Sequence, residues 1–147
     1  MIQEEKQILL IDLYARAPYK VHCRVFNLNG SIKENDDVLY GVIGDNVMTL
    51  KSDKDECLMY YQIKPYLRSM FSMTEEEKME FTKLFDKWHD DELFDYIEEG
   101  VDFSIWKHKG ISAVVFDWLN KKMFDYRGLI PRGLALEASK DMYAIKN

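Results

Sequence analysis

The apolar positions of this chain change their period twice, and the two changes divide it into three stretches. Residues 3–16 place Ile8, Leu9, Leu13 and also Ile11 where one side of a helix would face a core, which predicts an N-terminal helix. At Pro18 the period becomes two. Val21, Cys23 and Val25 alternate with His22, Arg24 and Phe26, the pattern of a half-buried strand. The polar run 27–37 reads as a connector in which Asn29 and Gly30 suit a tight turn. Two further strands, 38–44 and 47–52, flank Gly44-Asp45-Asn46, a three-residue link whose glycine and asparagine tolerate positive φ, so a hairpin is predicted. After another turn at 52–56, residues 57–67 form one β-rich run that ends near Pro65. Four strands in meander order make a small antiparallel sheet or a partly closed barrel.

From Ser72 onward the period is that of a helix. Thr74 and Glu77 have the spacing of a reciprocal capping box, and Glu75, Glu76 and Glu77 stand where the helix dipole favours negative charge. Phe81, Leu84, Phe85 and Trp88 then recur on one face. A second short helix is expected from Asp90 or Asp91 to Gly100, burying Leu93, Phe94 and Ile97, and a third over 111–123 with Ile111, Val114, Val115, Trp118 and Leu119 inward. The last stretch carries Leu129, Ile130, Leu134 and Leu136 among Gly128, Pro131 and Gly133, an ordered tail that packs back on the rest. The expected fold is therefore α+β: an N-terminal helix, a four-stranded antiparallel sheet or partly closed barrel, about three C-terminal helices and a tail. With no linker or repeat to divide it, residues 1–147 read as a single domain, β-rich over 18–67, helical over 72–123 and closed by the tail 124–147.

Composition supports that picture and narrows the chemistry. A chain of 147 residues that is 47% hydrophobic and 14% aromatic can bury a core unaided. Its net charge of −6 is concentrated, since residues 74–99 hold eleven acidic and three basic side chains while residues 100–147 hold five acidic and eight basic ones. An acidic block of that kind repels phosphate, which argues against nucleic acid as a partner and leaves the tail as the one mildly basic face. The apolar run Ile8–Ile11 is far short of a membrane span, and two glutamates precede it, so neither an anchor nor a secretory signal is expected. Cys23 and Cys57 lack metal or redox spacing and read as buried thiols, which points to a reducing, cytoplasmic setting.

Candidate chemistry is sparse. His22 and Cys23 are neighbours on a strand and point to opposite faces, His89 adjoins Asp90 at a helix junction, and His108 is flanked by lysines, so no metal site is expected. No phosphate loop, dinucleotide fingerprint or nucleophile elbow is present, and no cofactor or catalytic residue is assigned. Tyr66 and Arg68, with Tyr60 and Tyr61, could present a stacking platform on a small barrel or simply cover the sheet. Asp125, Tyr126, Arg127 and Arg132 pose the same choice. The arginine forks could receive a carboxylate or phosphate, or Arg127 could turn inward to Asp125 or to the acidic block 74–99 and fasten the tail. Opposite charge in the two segments favours the fastening.

Two segments carry a resemblance. IKPYLRSMFSMTEEEK (63–78) and FDWLNKKMFDYRGLIPRGLALEASKDMY (116–143) resemble a set of small proteins of gut-anaerobe genomes and their prophages, which share a KPYLRPMSSMTEEE-like segment and an FDYRGLI..GLALEAP.GMY-like ending. The match is close over Lys64–Lys78 and Phe124–Tyr143 and looser over Asp12–Tyr19, with Ser69, Phe71 and Ser139 departing from the pattern. The resemblance implies no activity; it implies a mobile-element setting. The expectation is a non-enzymatic accessory protein that binds another protein through a sheet edge or the acidic helical surface. The alternatives are a small-molecule or nucleotide-binding enzyme using Tyr66, Arg68 and Arg127 in a cleft, and a nucleic-acid module using the basic tail.

Overall fold

The computed structural model describes residues 1–53, 55–84 and 113–144. The expected helix at 90–100, together with Phe85, Trp88, His89, His108 and Ile111, lies outside the described residues.

Helix α1 spans Gln3–Arg16, the range its periodicity predicts, but its inward stripe is Leu9, Asp12, Leu13 and Arg16. Ile11, expected to face the core, is exposed. A short 3-10 turn, Ala17–Tyr19, then delivers the chain to strand β1, His22–Phe26, whose burial alternates as expected: Cys23 and Val25 are buried and His22, Arg24 and Phe26 are not fully so.

The connector expected over 27–37 is mostly strand. Asn29 closes a tight turn by accepting from the Ser31 backbone N–H and hydroxyl, and β2 then runs from Ile32 to Ile43. Its first half is polar because both faces lie open to solvent, which is why hydropathy alone reads it as a loop. The one buried carboxylate there, Asp37, is satisfied by the backbone N–H groups of Val38 (2.7 Å) and Lys51 (3.1 Å). The hairpin to β3, Asn46–Thr49, forms, but its link is the two residues Gly44-Asp45 instead of three, because Asn46 pairs with Ile43; Gly44 takes φ +59°.

The run 57–67 is not one strand. It comprises β4 (Leu58–Met59), a 3-10 turn (Tyr60–Gln62) and β5 (Ile63–Leu67). β4 pairs with β3, whereas β5 crosses to pair with β1. The chain gives a sixth strand, β6 (Leu136–Glu137), which pairs in parallel with β5. Among the described residues the sheet thus has six strands in the order β4-β3-β2-β1-β5-β6, rather than four, and it stays open rather than closing into a barrel. Three residues separate β4 from β5, and a link that short reaches at most about 14 Å between its flanking Cα atoms, so the sheet must coil strongly to bring its two sides so near. Gln62 holds the corner, accepting from the Met59 N–H and donating to the Phe26 carbonyl, both at 2.9 Å. β6 engages only Tyr66 and Leu67 and so stops short of Pro65, which has no N–H for a ladder.

Helix α2 spans Glu75–Leu84 and starts with the predicted capping box: Glu77 N–H donates to Thr74 Oγ1 and Thr74 N–H to Glu77 Oε1, each at 3.1 Å. Phe81 is fully buried from it. Helix α3, Ala113–Lys121, buries Val115 and Leu119, while Val114, expected inward, is exposed. It ends with Phe124 N–H on the Leu119 carbonyl and Met123 N–H on the Asn120 carbonyl, a Schellman closure in which Met123 takes φ +64°. The strain of a non-glycine there is offset by burial of its side chain. This turn lays the tail between two apolar clusters. Met123, Leu129, Leu134 and Ala135 pack with α1 and the sheet, whereas Phe124 and Tyr126 pack with Met70, Met73, Phe81, Val115 and Leu119. No described helix is long and apolar enough to cross a membrane.

Candidate functional site

Within the Asp125-Tyr126-Arg127 stretch, Tyr126 and Arg127 meet α1. Asp12 and Arg16 lie one turn apart on the inward face of α1, both fully buried, with Arg16 Nε at 3.0 Å from each Asp12 carboxylate oxygen. Arg16 Nη2 donates to the Phe124 carbonyl at 2.6 Å. Arg127 Nη1 reaches the same Asp12 at 2.7 Å from a partly exposed position, so one carboxylate joins two arginines. The Tyr126 ring lies against both guanidinium groups, 4.5 Å from Arg127 and 5.4 Å from Arg16, and its hydroxyl donates to Asn120 Oδ1. Asp125 makes no ion pair with Arg127. Its two carboxylate oxygens cap the backbone N–H groups of Leu129 and Ile130 at 2.8 Å each, a turn made possible by Gly128 at φ +73°. Burial pushes the Asp125 carboxyl above its ordinary range against the pull of those two N–H groups, and burial likewise raises the Tyr126 hydroxyl. Arg127 is therefore a clasp whose partner is Asp12, in place of the expected Asp125; residues 85–99 of the acidic block lie outside the described residues.

The remaining candidates are held in separate places. Tyr66 donates its hydroxyl to the Asn35 carbonyl at 2.7 Å and lies against Arg24. Arg68 grips Glu77 with both nitrogens, at 2.6 and 2.8 Å, over the face of Phe124, so it is Arg68 that pairs with the acidic segment. Burial opposes the Glu77 charge most, yet the bonds from Arg68 and Thr74 together outweigh it and hold the carboxyl below its usual range. Arg132 makes a loose, exposed pair with Glu4 at 3.5 Å. An open cleft of about 600 Å³ lies between the start of α2, the end of α3 and the tail, lined among others by Ser69, Thr74, Glu76, Lys121 and Lys140. Of the six candidates only Arg68 lines it, so Tyr66, Arg68 and Arg127 do not converge there. Its lining mixes both charge signs, and among the described residues neither buried polar group without a partner, on Arg16 and Arg24, lines it. Among the described residues, no three His, Cys, Asp or Glu side chains gather as a metal site requires. Cys23 is buried, its thiol raised by burial, whereas Cys57, expected buried, is exposed.

Another surface has no such internal use. At the β2–β3 hairpin tip the Tyr14 hydroxyl of α1 donates to the Gly44 carbonyl (3.0 Å) and the Tyr60 N–H of the 3-10 turn donates to the Asp45 carbonyl (2.9 Å). Three elements thus converge on one turn. They leave Ile11 55%, Tyr14 46%, Ile43 69% and Tyr61 47% exposed around it. Tyr61 packs edge-on against the buried Tyr60, with ring centroids 5.5 Å apart, and Asp45 sits on the turn itself, exposed and in no ion pair among the described residues. The sheet edges offer much less. β4 and β6 are two residues long, and the polar half of β2 is flanked by the 50–56 loop through the Lys33–Glu56 and Lys51–Glu34 pairs. Short, charged edges of this kind resist strand addition.

Sequence reasoning missed both features. The Asp12–Arg16 pair has the i,i+4 spacing of opposite charges, and its flanking Leu9 and Leu13 were the signal that the pair faces inward. The tip signal was an isoleucine immediately before a hairpin glycine, where a polar residue is usual. Comparison with protein-family models, curated protein sequences and solved structures returned no match for this chain.

Proposed function

We propose that the chain is a non-enzymatic accessory protein that binds another protein, in the setting of a mobile element such as a prophage. The observation that carries this reading is the hairpin tip, where four large apolar or aromatic side chains stand exposed around a turn fixed from two sides. Tyrosines and aliphatics on a rigid base are the composition of interface anchors, and they lose little entropy when covered. The motifs at 63–78 and 116–143 support the mobile-element setting. The polar side chains that an enzyme or a nucleic-acid module would need point the other way: Arg68, Arg127 and Arg132 each already hold a carboxylate. A net charge of −6 weighs against attraction of a phosphate backbone.

The test is site-specific photo-crosslinking in the cell that encodes the protein. A photoreactive residue at Ile43 should capture one discrete partner protein, whereas the same probe at Leu28, exposed on the β1–β2 turn, should not. Equal labelling at both positions, or none at Ile43, would count against the tip as a binding surface.

A further inference from the structure

We infer that the tip receives an arginine-bearing segment of its partner, with the guanidinium on Asp45 between the rings of Tyr14 and Tyr61; this rests on the tip being the binding surface. Tyr14 is tied to the carbonyl of Gly44 and Tyr60 to that of Asp45, so the half-exposed Tyr14 and Tyr61 stand beside the turn that carries Asp45, and that turn cannot easily move away. Any partner that covers Ile11, Tyr14, Ile43 and Tyr61 covers Asp45 as well. A carboxylate removed from water without a countercharge is strongly unfavourable, and no ion pair among the described residues supplies one. The countercharge must therefore come from the partner. Burial and then the Asp45 charge raise the Tyr60 hydroxyl at the base of the tip. Arginine fits better than lysine because its planar fork can pair with a carboxylate while its faces stack on tyrosine rings. An acidic or phosphorylated segment would be repelled by Asp45 and by the overall negative charge.

A random-peptide phage library panned on the protein tests this. Retained peptides should share an arginine next to aliphatic or aromatic residues. Measured by fluorescence anisotropy, replacing that arginine by alanine and making Asp45→Asn should each weaken binding about tenfold, and the two changes together should weaken it little further. Ile43→Glu should abolish binding. Asp45 and Ile43 are exposed, so these variants should melt like the parent. If Ile43→Glu abolishes binding but the peptides share no arginine and Asp45→Asn binds normally, the arginine inference is wrong and the binding surface stands. If no peptide is retained, or binding ignores Ile43→Glu, both fall.

Discussion

Asp12→Ala should be the most damaging single change in the α1–tail contact, and its cost can be worked from the geometry. The Asp12 carboxylate holds Arg16 Nε through both oxygens at 3.0 Å and Arg127 Nη1 at 2.7 Å. Without it, Arg127 can turn to solvent from its partly exposed position, but Arg16 is fully buried and keeps only the Phe124 carbonyl and the Tyr126 ring. Arg16 Nη1 already has no hydrogen-bond partner among the described residues. Breaking a buried pair from one side costs about 3–5 kcal/mol, because the remaining charge has been desolvated for nothing. For a chain of this size that corresponds to a fall in Tm of roughly 10 °C. Arg127→Met, which leaves the Asp12–Arg16 pair in place, should cost about 1–2 kcal/mol. Arg132→Met, at an exposed 3.5 Å pair, should cost less than about 1 kcal/mol. The double variant Asp12→Ala, Arg16→Met should recover much of the loss, since it removes the stranded charge together with its partner. Urea unfolding followed by tryptophan fluorescence gives these values, with an unchanged m showing that the denatured state is comparable. Asp12→Ala no worse than Arg132→Met, or a double variant at least as unstable as the sum of the singles, would refute the reasoning.

Three other outcomes are expected. The folded-state carboxyl of Glu77 lies below its ordinary value of 4.5, so beneath that pH the unfolded chain binds the proton first and stability falls as pH drops through the folded value; urea midpoints measured down to about pH 3 should show a shallower fall in Glu77→Gln. The Tyr143 hydroxyl accepts from His22 N–H at 2.9 Å and donates to the Tyr66 carbonyl at 2.7 Å, standing where the β1–β5 ladder would continue beyond Cys23 and Pro65. Tyr143→Phe should cost about 1–3 kcal/mol and speed amide exchange at His22, and unchanged exchange there would rule out this bridging role of the hydroxyl. In the native protein a thiol reagent should modify Cys57 quickly and Cys23 only on unfolding, so rapid loss of two thiols would contradict the burial of Cys23.

Local rules were legible where one side of an element faces the core and the other faces water. The span of α1, the alternation of β1, the hairpin at Gly44 and the Thr74–Glu77 box all follow from neighbours within a few residues. The same rules misled where tertiary contacts reassign a face. Residues 33–37 are polar yet extended because β1 supplies the ladder on one side. Ile11 and Val114 are apolar yet outward, while Asp12 and Arg16 are charged yet inward because each satisfies the other.

The sequence by itself determined the α+β class, the span of α1, the capped start of α2, the place of the Gly44 turn, and the need for the apolar tail to pack back on the rest, since periodicity and capping act over one or two turns of chain. Only the tertiary structure decided which partners lie far apart in sequence. It sent β5 to β1 instead of β4, paired Arg127 with Asp12 across 115 positions and Arg68 with Glu77, and left the hairpin tip uncovered. The physical reason is that a charged side chain carries no mark of its partner. Asp12, Arg16, Arg68 and Arg127 could each have faced water or one another, and the choice was made by which carboxylates the packed apolar surfaces brought within hydrogen-bond reach.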